Sequence, residues 1–442
     1  MLYCNGGLNM NDFIFKLNSD DVFSVNSASI VEVDLTSKEE YKHTFFNNMS
    51  RLYRMQNFFQ NEALDLWYIS LMIYYVDKKV SREGTFDNWT RQFKLYIPVL
   101  SPEKWNDNKN LLIEMITFLS GDLWEFEFRK RELNSKEVYI SEKLINRYKS
   151  TKFNPDSYCM LSGGLDSFIG AIDLLKHSRN IGFVSHYGGG KGVKPYQEMV
   201  QDLLRVEYGL RGDEFFNFHA APIGGSEDTT RTRSFMFFSH AIILASCSQR
   251  EIELYIPENG LISLNIPFTN TRLGSSSTRT THPFYLKKLQ ELLDRLGITV
   301  KLKNPYQFLT KGEMLIQCTN DRFIKEHYKV TMSCSHPDQV RWEKGSKEPI
   351  HCGTCLPCSI RRASILRAFK KDETLYNDSK FKKKKAKLEM QSFKIGMLNY
   401  SSLKDHFFTI QMSGRIDEDL EKYSDLYKRG MEEFNKFIKS IK

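Results

Sequence analysis

Between about residue 155 and residue 302, short apolar runs alternate with longer amphipathic stretches, and this restricts the fold more than any other feature. The runs Ser157–Leu161, Ile181–Ser185, Glu214–His219, Ile252–Ile256 and Ile298–Leu302 have the length and composition of buried strands. Leu165–His177, Pro195–Tyr208, Phe235–Ser248 and Phe284–Leu296 read as the intervening helices, and Pro195 suits a first helical turn. Strands that alternate with helices in this way predict an α/β fold with a doubly wound parallel sheet. Ligands of such sheets bind beyond the strand C-termini, near the point where strand order reverses.

The first strand runs into Ser162-Gly163-Gly164-Leu165-Asp166-Ser167. Leu165, Phe168, Ile169, Ile172 and Leu175 then recur at helical spacing. A strand, a glycine-rich turn and a helix N-terminus make an anion site, because free backbone N–H groups and the helix dipole both favour negative charge. The two glycines let the backbone approach a phosphate closely. Ser162 and Ser167 add hydroxyl donors, and Asp166 suits a magnesium ion. A Walker loop would need a Lys-Ser/Thr pair after the second glycine, and none is present.

The chain has eight cysteines. Cys159 and Cys247 lie in apolar runs and read as small core residues. Cys334 and the run Cys352-Gly353-Thr354-Cys355-Leu356-Pro357-Cys358 read differently. Two-residue gaps let adjacent thiolates close on one tetrahedral zinc. Cys352, Cys355 and Cys358 are three ligands and Cys334 is the natural fourth, with His336 and His351 as substitutes. Four thiolates leave no open position, so the ion would be structural.

At 442 residues two or three domains are expected. Residues 1–150 read as a mixed α/β accessory domain, with strands at Val31–Leu35, Phe93–Ile97 and Trp124–Phe128 and helices at Leu64–Val76 and Leu111–Leu119. Pro98 and Pro102 are expected to end the second of these strands. Residues 151–330 carry the loop, 331–370 the cysteines, and 371–442 a basic linker followed by a helical segment. In that last segment Leu420, Tyr423, Leu426, Tyr427, Met431, Phe434 and Phe437 form a helical stripe read as core. The formal charge is +9, in part from Lys380–Lys387, a tract read as a solvated linker or helix face, or else a nucleic-acid patch. No apolar run approaches about 20 residues and no secretory signal starts the chain, so a cytoplasmic protein without a membrane span is expected.

The loop resembles the Ser-Gly-Gly-x-Asp-Ser loop of PP-loop ATP pyrophosphatases, which cleave ATP to AMP and pyrophosphate. A PP-loop followed by Cys…Cys-Gly-x-Cys-x-x-Cys-x-x-Arg, here ending at Arg361, resembles the 7-cyano-7-deazaguanine synthase family (QueC). Arg233-Ser234-Phe235-Met236-Phe237 and Leu309-Thr310-Lys311-Gly312-Glu313 are similar to two further segments of that family, so the resemblance covers roughly residues 155–368. It implies an adenine nucleotide alpha hydrolase-like fold, with ATP, Mg2+ and Zn2+ as cofactors. It also implies adenylation of the carboxylate of 7-carboxy-7-deazaguanine before ammonia gives an amide and then a nitrile. Ser162, Gly163, Gly164, Leu165, Asp166 and Ser167 would bind ATP, and Asp166, Lys311 and Arg233 would act in catalysis.

The chain departs from plain QueC in its first 150 residues and in the polar run after the fourth strand of the repeat. With the segment Asp87-Asn88-Trp89-Thr90-Arg91, that run resembles the longer QueC-like proteins of bacterial antiphage systems, of the Qat and type IV CBASS kinds. The resemblance implies a changed acceptor, a protein amine in place of ammonia. Long polar loops are often functional. In this one Glu258, Asn259 and Asn265 suit a guanine-like edge, while Arg272, Arg279 and His282 suit a carboxylate or phosphate. The alternatives are ordinary nitrile synthesis with ammonia, a PP-loop tRNA-modifying enzyme, and a non-enzymatic defence scaffold. Nucleic acid and a homodimer stay open as partners.

Overall fold

The computed structural model describes residues 10–26, 30–47, 54–144, 153–188, 192–228, 230–267, 279–338, 348–402 and 406–441. Strands β1 (Met10–Lys16), β2 (Ile30–Asp34) and β3 (Tyr41–His43) precede helix α1 (Asn61–Lys79). Next come β4 (Gln92–Val99), α2 (Pro102–Asp107), α3 (Lys109–Ser120), β5 (Leu123–Lys130) and α4 (Ser135–Tyr139). A β-α alternation follows: β6 (Ser157–Met160), α5 (Leu165–Leu175), β7 (Ile181–Tyr187), α6 (Lys194–Tyr208), β8 (Phe215–Pro222), α7 (Arg233–Ser246) and β9 (Ile252–Tyr255). It continues through α8 (Gly260–Leu264), α9 (Pro283–Leu296) and β10 (Val300–Lys303). The remainder is helical: α10 (Lys311–Gln317), α11 (Asp321–His327), α12 (Leu356–Phe369), α13 (Lys384–Ser402), α14 (Phe407–Gln411) and α15 (Leu420–Ser440).

The protein is thus a mixed α/β structure with parallel sheets and a helical C-terminus. One sheet has the order β2-β1-β4-β5 and is parallel throughout. The other has the order β10-β9-β6-β7-β8-β3. In it β6 is parallel to both β7 and β9, and only β3 against β8 is antiparallel among the pairings with a defined register. Strand order therefore reverses at β6, and the Ser162–Ser167 loop leaves its C-terminal end.

Two features of the first sheet differ from the sequence reading. Its central strand β1 was not expected. Pro98 lies inside β4, opposite Arg129 of β5, rather than ending it. The reason is local: β1 pairs with β4 only from Gln92 to Tyr96, so Pro98 lies past that neighbour and its missing N–H interrupts no ladder there.

The chain divides into two compact units that interleave along the sequence. The first comprises Met1–Asn154, Phe218–Ile252 and Lys287–Lys301; the second comprises Pro155–Asn217, Glu253–Leu286 and Leu302–Lys442. Each unit is thus assembled from segments distant in the sequence. Helix α1 shows why. Every residue from Ala63 to Asp77 is buried, so the helix needs cover on all sides rather than along one stripe. Helix α7 supplies part of it. Ser70 Oγ lies 2.5 Å from Ser239 Oγ, and the Trp67 ring meets the His240 ring edge-on at 5.8 Å.

The first unit also holds a buried charge network. Arg91 is fully buried and its guanidinium donates to Asp77 (2.6 Å) and Asp122 (2.8 Å). Arg82 makes a two-pronged contact with Asp122 at 2.9 and 3.0 Å. The second oxygen of Asp77 accepts from the Arg231 and Thr232 backbone and from the Thr232 hydroxyl at 2.8–2.9 Å. Trp89 lies between the guanidiniums of Arg82 and Arg231, 4.5 and 4.4 Å from its ring centre. Within the Asp87–Arg91 segment, Trp89 and Arg91 thus serve this network, while Asp87 and Asn88 are exposed.

In the second unit, one core cluster gathers residues of β6, β7, α5, α6, α10 and α11. A second is built by α12, α13, α14 and α15, and it contains Tyr423, Leu426, Tyr427, Met431, Phe434 and Phe437 of the expected stripe. Among the described residues no helix is long and apolar enough to cross a membrane.

Candidate active site and metal centre

Strand β6 is buried along its whole length, and α5 buries Leu165, Phe168, Ile169, Ile172 and Leu175, so the turn between them is held at both ends. Gly163 has φ +81°, and a Cβ there would lie 2.9 Å from Gln197 Cγ and 3.1 Å from the Gln197 backbone nitrogen. Only glycine fits both the conformation and the space. Gln197 in turn donates to the carbonyls of Ser162 (3.1 Å) and His186 (3.0 Å). Ser167 Oγ accepts from the Ser162 amide at 3.2 Å and donates to the Gly164 carbonyl at 3.0 Å. No side chain caps α5. Its first-turn N–H groups are therefore open to an anion at the positive end of the helix dipole. Leu165 contributes its backbone to this turn while its side chain is core.

Asp166, in the first turn of α5, is buried and meets three other residues. Lys311 Nζ lies 2.7 Å from Oδ1. Oδ2 accepts from the Asn259 backbone (3.1 Å) and side-chain amide (2.7 Å). The same Asn259 amide reaches Glu258 Oε1 at 3.0 Å. Burial alone would raise the Asp166 carboxyl. The Lys311 ammonium and hydrogen bonds from Glu258 and Asn259 outweigh it and hold the group below its usual range. Glu258 moves the other way: burial first, then the Asp166 charge, push it well above its usual range. Of the two, Asp166 is the readier to ionise and Glu258 holds its proton more tightly, opposite one ammonium.

Lys311 is the first residue of α10, where the helix dipole disfavours a cation. Two things hold it there. One is Asp166. The other is a capping box in which Thr310 accepts from the Glu313 amide and Glu313 from the Thr310 amide. Arg367 and Arg429 grip Glu313 at 3.3 and 2.9 Å, and Glu433 accepts from Thr310 (2.9 Å) and Arg367 (2.8 Å). A Cβ at Gly312 would lie 2.6 Å from Glu433 Oε2. Each residue of Thr310-Lys311-Gly312-Glu313 thus has a physical reason. The Thr-x-x-Glu spacing is visible in the sequence as a capping signal, whereas Arg367, Arg429 and Glu433 lie too far along the chain to be linked to it.

Cys334, Cys352, Cys355 and Cys358 place their sulfurs within 4.8 Å of one another. The Cys334–Cys355 and Cys352–Cys358 separations are 4.0 and 3.8 Å. Tetrahedral zinc with about 2.3 Å bonds spaces its sulfurs about 3.8 Å apart, so the donor set fits such an ion. The amides of His336 and Cys352 point at Cys334 Sγ (both 3.3 Å), and that of Cys355 at Cys352 Sγ (3.4 Å), which favours thiolates. Neither substitute histidine joins the group. His351 Nε2 accepts from the Ser333 amide at 3.2 Å, and His336 is exposed. Gly353 has φ +88° and a Cβ there would meet the Asp378 carbonyl at 2.7 Å.

The cysteine cluster is joined to the loop. Arg361, fully buried in α12, donates to Thr331 (2.7 Å), Ser333 (3.3 Å) and the Tyr328 carbonyl (2.8 Å). The segment it holds gives the Met332 amide to the Gly163 carbonyl at 2.9 Å. Anything that fixes the cysteines also fixes one side of the turn at Gly163.

Of the other expected site residues, Asn259 joins this cluster. Asn259 serves Asp166 and, through its Oδ1, caps α8 at the Ile262 amide (3.0 Å). Asn265 adopts a left-handed conformation at the end of α8, and its carbonyl accepts from Ser413 (2.6 Å). His282 Nδ1 accepts from the Phe284 amide at 3.2 Å, and burial, then Arg279, push its pKa down to about 3. It is a neutral ring at the start of α9, not a cation for an anionic ligand. Arg279 is itself lowered by burial. Arg233 is exposed at the N-terminus of α7, in the other compact unit, where its electrostatic neighbour is Tyr74. Arg272 lies outside the described residues.

A scan against protein-family models finds no match for this chain, and a search of the curated proteins finds none either.

Proposed function

We propose that this protein is an ATP-dependent C–N ligase that adenylates the carboxylate of 7-carboxy-7-deazaguanine and passes the acyl group to an amine. A protein amine of a partner in the same antiphage system is the acceptor we favour. The observation that carries the reading is the convergence, at the reversal point of a largely parallel sheet, of an uncapped helix N-terminus with Asp166, Lys311 and Glu258. A doubly wound PP-loop fold is the architecture this reading implies.

A carboxylate is a poor electrophile. In the proposed first step its oxygen attacks the α-phosphorus of ATP, and the bond to the β-phosphate oxygen breaks, releasing pyrophosphate. The N–H groups of Gly164 to Ser167 and the Ser162 and Ser167 hydroxyls receive the developing phosphate charge. Magnesium, when bound, neutralises part of that charge. Asp166 would hold it, with Glu258 as a second ligand once the metal displaces its proton to solvent. Lys311 then turns its charge from Asp166 to the phosphates. In the second step the amine nitrogen attacks the acyl carbon, AMP leaves and the nitrogen gives up a proton. Zinc at the four cysteines has a structural part, holding the turn through Arg361 and Met332.

A tRNA-thiolating reading would need a reactive thiol near the loop. Cys159 is fully buried, and burial alone raises its thiol far above the range of a nucleophile. The test is to mix the protein with ATP, 7-carboxy-7-deazaguanine and either ammonia or a candidate partner protein, and to measure pyrophosphate and product mass. The expected result is deazaguanine-dependent pyrophosphate and an amide on the amine. No pyrophosphate with any acceptor would sink the ligase reading.

A further inference from the structure

Helix α13 has two unlike faces. Ala386, Phe393 and Met397 are buried in the C-terminal core. On the other side Leu388, Ile395 and Leu398 are 57 %, 49 % and 71 % exposed. At 100° per residue, the three lie within about 80° of the helix circumference.

Their spacing is that of a coiled-coil seam. With Leu388 and Ile395 at a, Gln391 and Leu398 fall at d, and the flanking g positions are Lys387 and Lys394, both exposed. The e positions are Ser392 and Asn399, and Glu389, the single acid of the helix, falls at b, off the seam. Exposed Lys384 and Lys385 extend the positive charge at the N-terminal end. The basic tract before the helix is anchored: Asp378 accepts from the backbone amides of Lys380 (3.2 Å), Lys382 (3.0 Å) and Lys383 (2.9 Å). Burial of the opposite face by Phe393 leaves this seam no partner within the C-terminal core among the described residues.

We infer that α13 is a docking face for an acidic amphipathic helix of another protein. Apolar residues at a and d supply contact area, and charges at e and g choose the partner. Lysines at g call for glutamates or aspartates on the incoming helix. A second copy is a poor match, because antiparallel pairing sets lysine against lysine and parallel pairing sets lysine against Ser392 and Asn399. Nucleic acid would meet aliphatic side chains on the seam where stacking needs aromatic ones. This inference is independent of the ligase reading.

The test uses the full chain and a labelled three-heptad peptide with leucine at a and d and glutamate at e and g, followed by fluorescence anisotropy. A matched peptide with lysine at e and g is the control. The glutamate peptide should bind at least tenfold tighter than the control. Ile395→Asp should remove binding without changing the circular dichroism spectrum. The double variant Lys387→Glu/Lys394→Glu should reverse the preference, a gain that misfolding would not produce. Equal binding of the two peptides overturns the inference. So does Ile395-dependent dimerisation, or Ile395-dependent binding to phosphatidylserine vesicles or duplex RNA without binding of the glutamate peptide.

Discussion

Two of the buried charge clusters among the described residues handle charge in opposite ways. In the first unit Asp77 and Asp122 face Arg82 and Arg91, two carboxylates against two guanidiniums. Every oxygen of the two carboxylates has a donor. In the second unit Asp166 and Glu258 share one Lys311, and burial with the Asp166 charge makes Glu258 hold its proton more tightly. A closed set of pairs keeps its geometry because any rearrangement leaves a charge unpaired. An unequal set can change partners, which is the usual state of groups that bind and release ligands. On the proposed reading, the same residue types brace one unit and prepare the other for chemistry.

The difference extends to what lies behind each site. The Gly163 turn leans on the cysteine cluster through Met332, and that cluster, not the Arg91 network, is the metal-capable group found among the described residues. The largest expected effect therefore comes from metal removal, because structural zinc binding is worth about 10–16 kcal/mol in small zinc domains. Elemental analysis should give about one zinc per chain by the same logic. Chelation should speed hydrogen exchange at the Met332 amide and leave the Arg91 amide, bonded to Asp122, protected. Parallel loss at both amides would show that the two regions do not differ in this way.

Next in size is Arg91→Met. It leaves Asp77 and Asp122 short of a guanidinium in a dry interior, and breaking a buried pair costs about 3–5 kcal/mol. Denaturant unfolding should register that loss. Asp166→Asn should behave differently. Lys311 would then be left beside Glu258, which can give up its proton and become the counter-ion. Its stability cost should stay within the about 0.5–3 kcal/mol of ordinary substitutions. An Asp166→Asn variant as unstable as Arg91→Met would mean the second site is as closed as the first.

How much of this was legible depends on how far apart the interacting residues lie. The turn at Ser162–Ser167 and the cysteine spacing are local patterns, and the chemistry of each is set by residues a few positions apart. The β-α alternation is also local, and its strands and helices appear near their expected positions. The partner of Asp166 was not legible: Lys311 and Asn259 were read as serving phosphate and base, and only the packing of α10 and α8 against α5 turns them inward. Arg91 was visible only as part of a family-like segment, since its carboxylates lie at 77 and 122. His282 looked like an anion ligand because sequence does not reveal that its ring is buried and accepting an amide. The strand β1 was missed because MNDFIFK is short and its polar start hides the alternation.

On activity the order of the two regions should reverse. On the proposed reading Asp166→Asn removes a group at the phosphates, and losing one electrostatic contact of that kind costs about 10²–10³ in turnover. Pyrophosphate release should fall by that factor while the folded fraction is unchanged. A conservative change in the first unit, Arg82→Lys, should leave turnover per folded molecule near wild type. Equal losses from both variants, measured per folded molecule, would erase the functional side of the comparison.

The smallest and most specific effect is on pH. Glu258 has a folded-state pKa raised above its ordinary value of 4.5, by burial and then by Asp166. Above that value the unfolded chain has released the proton while the folded protein still holds it. Folded protein then binds more protons than unfolded, so this residue makes stability fall as pH rises, until its raised folded value is passed. Asp166 acts in the opposite window. Its pKa is lowered from 3.8, so its contribution is present above 3.8 and fades as the solution is made more acid. The two windows do not overlap, which lets one variant isolate one term. Glu258→Gln keeps the shape, loses the titration, and should flatten the decline of stability above pH about 4.5. Unfolding measured across that range in EDTA, wild type against variant, reads the difference directly. If Glu258→Gln leaves the slope unchanged, Asp166 and Glu258 do not share a proton, and the contrast between the two buried sites fails at its most testable point.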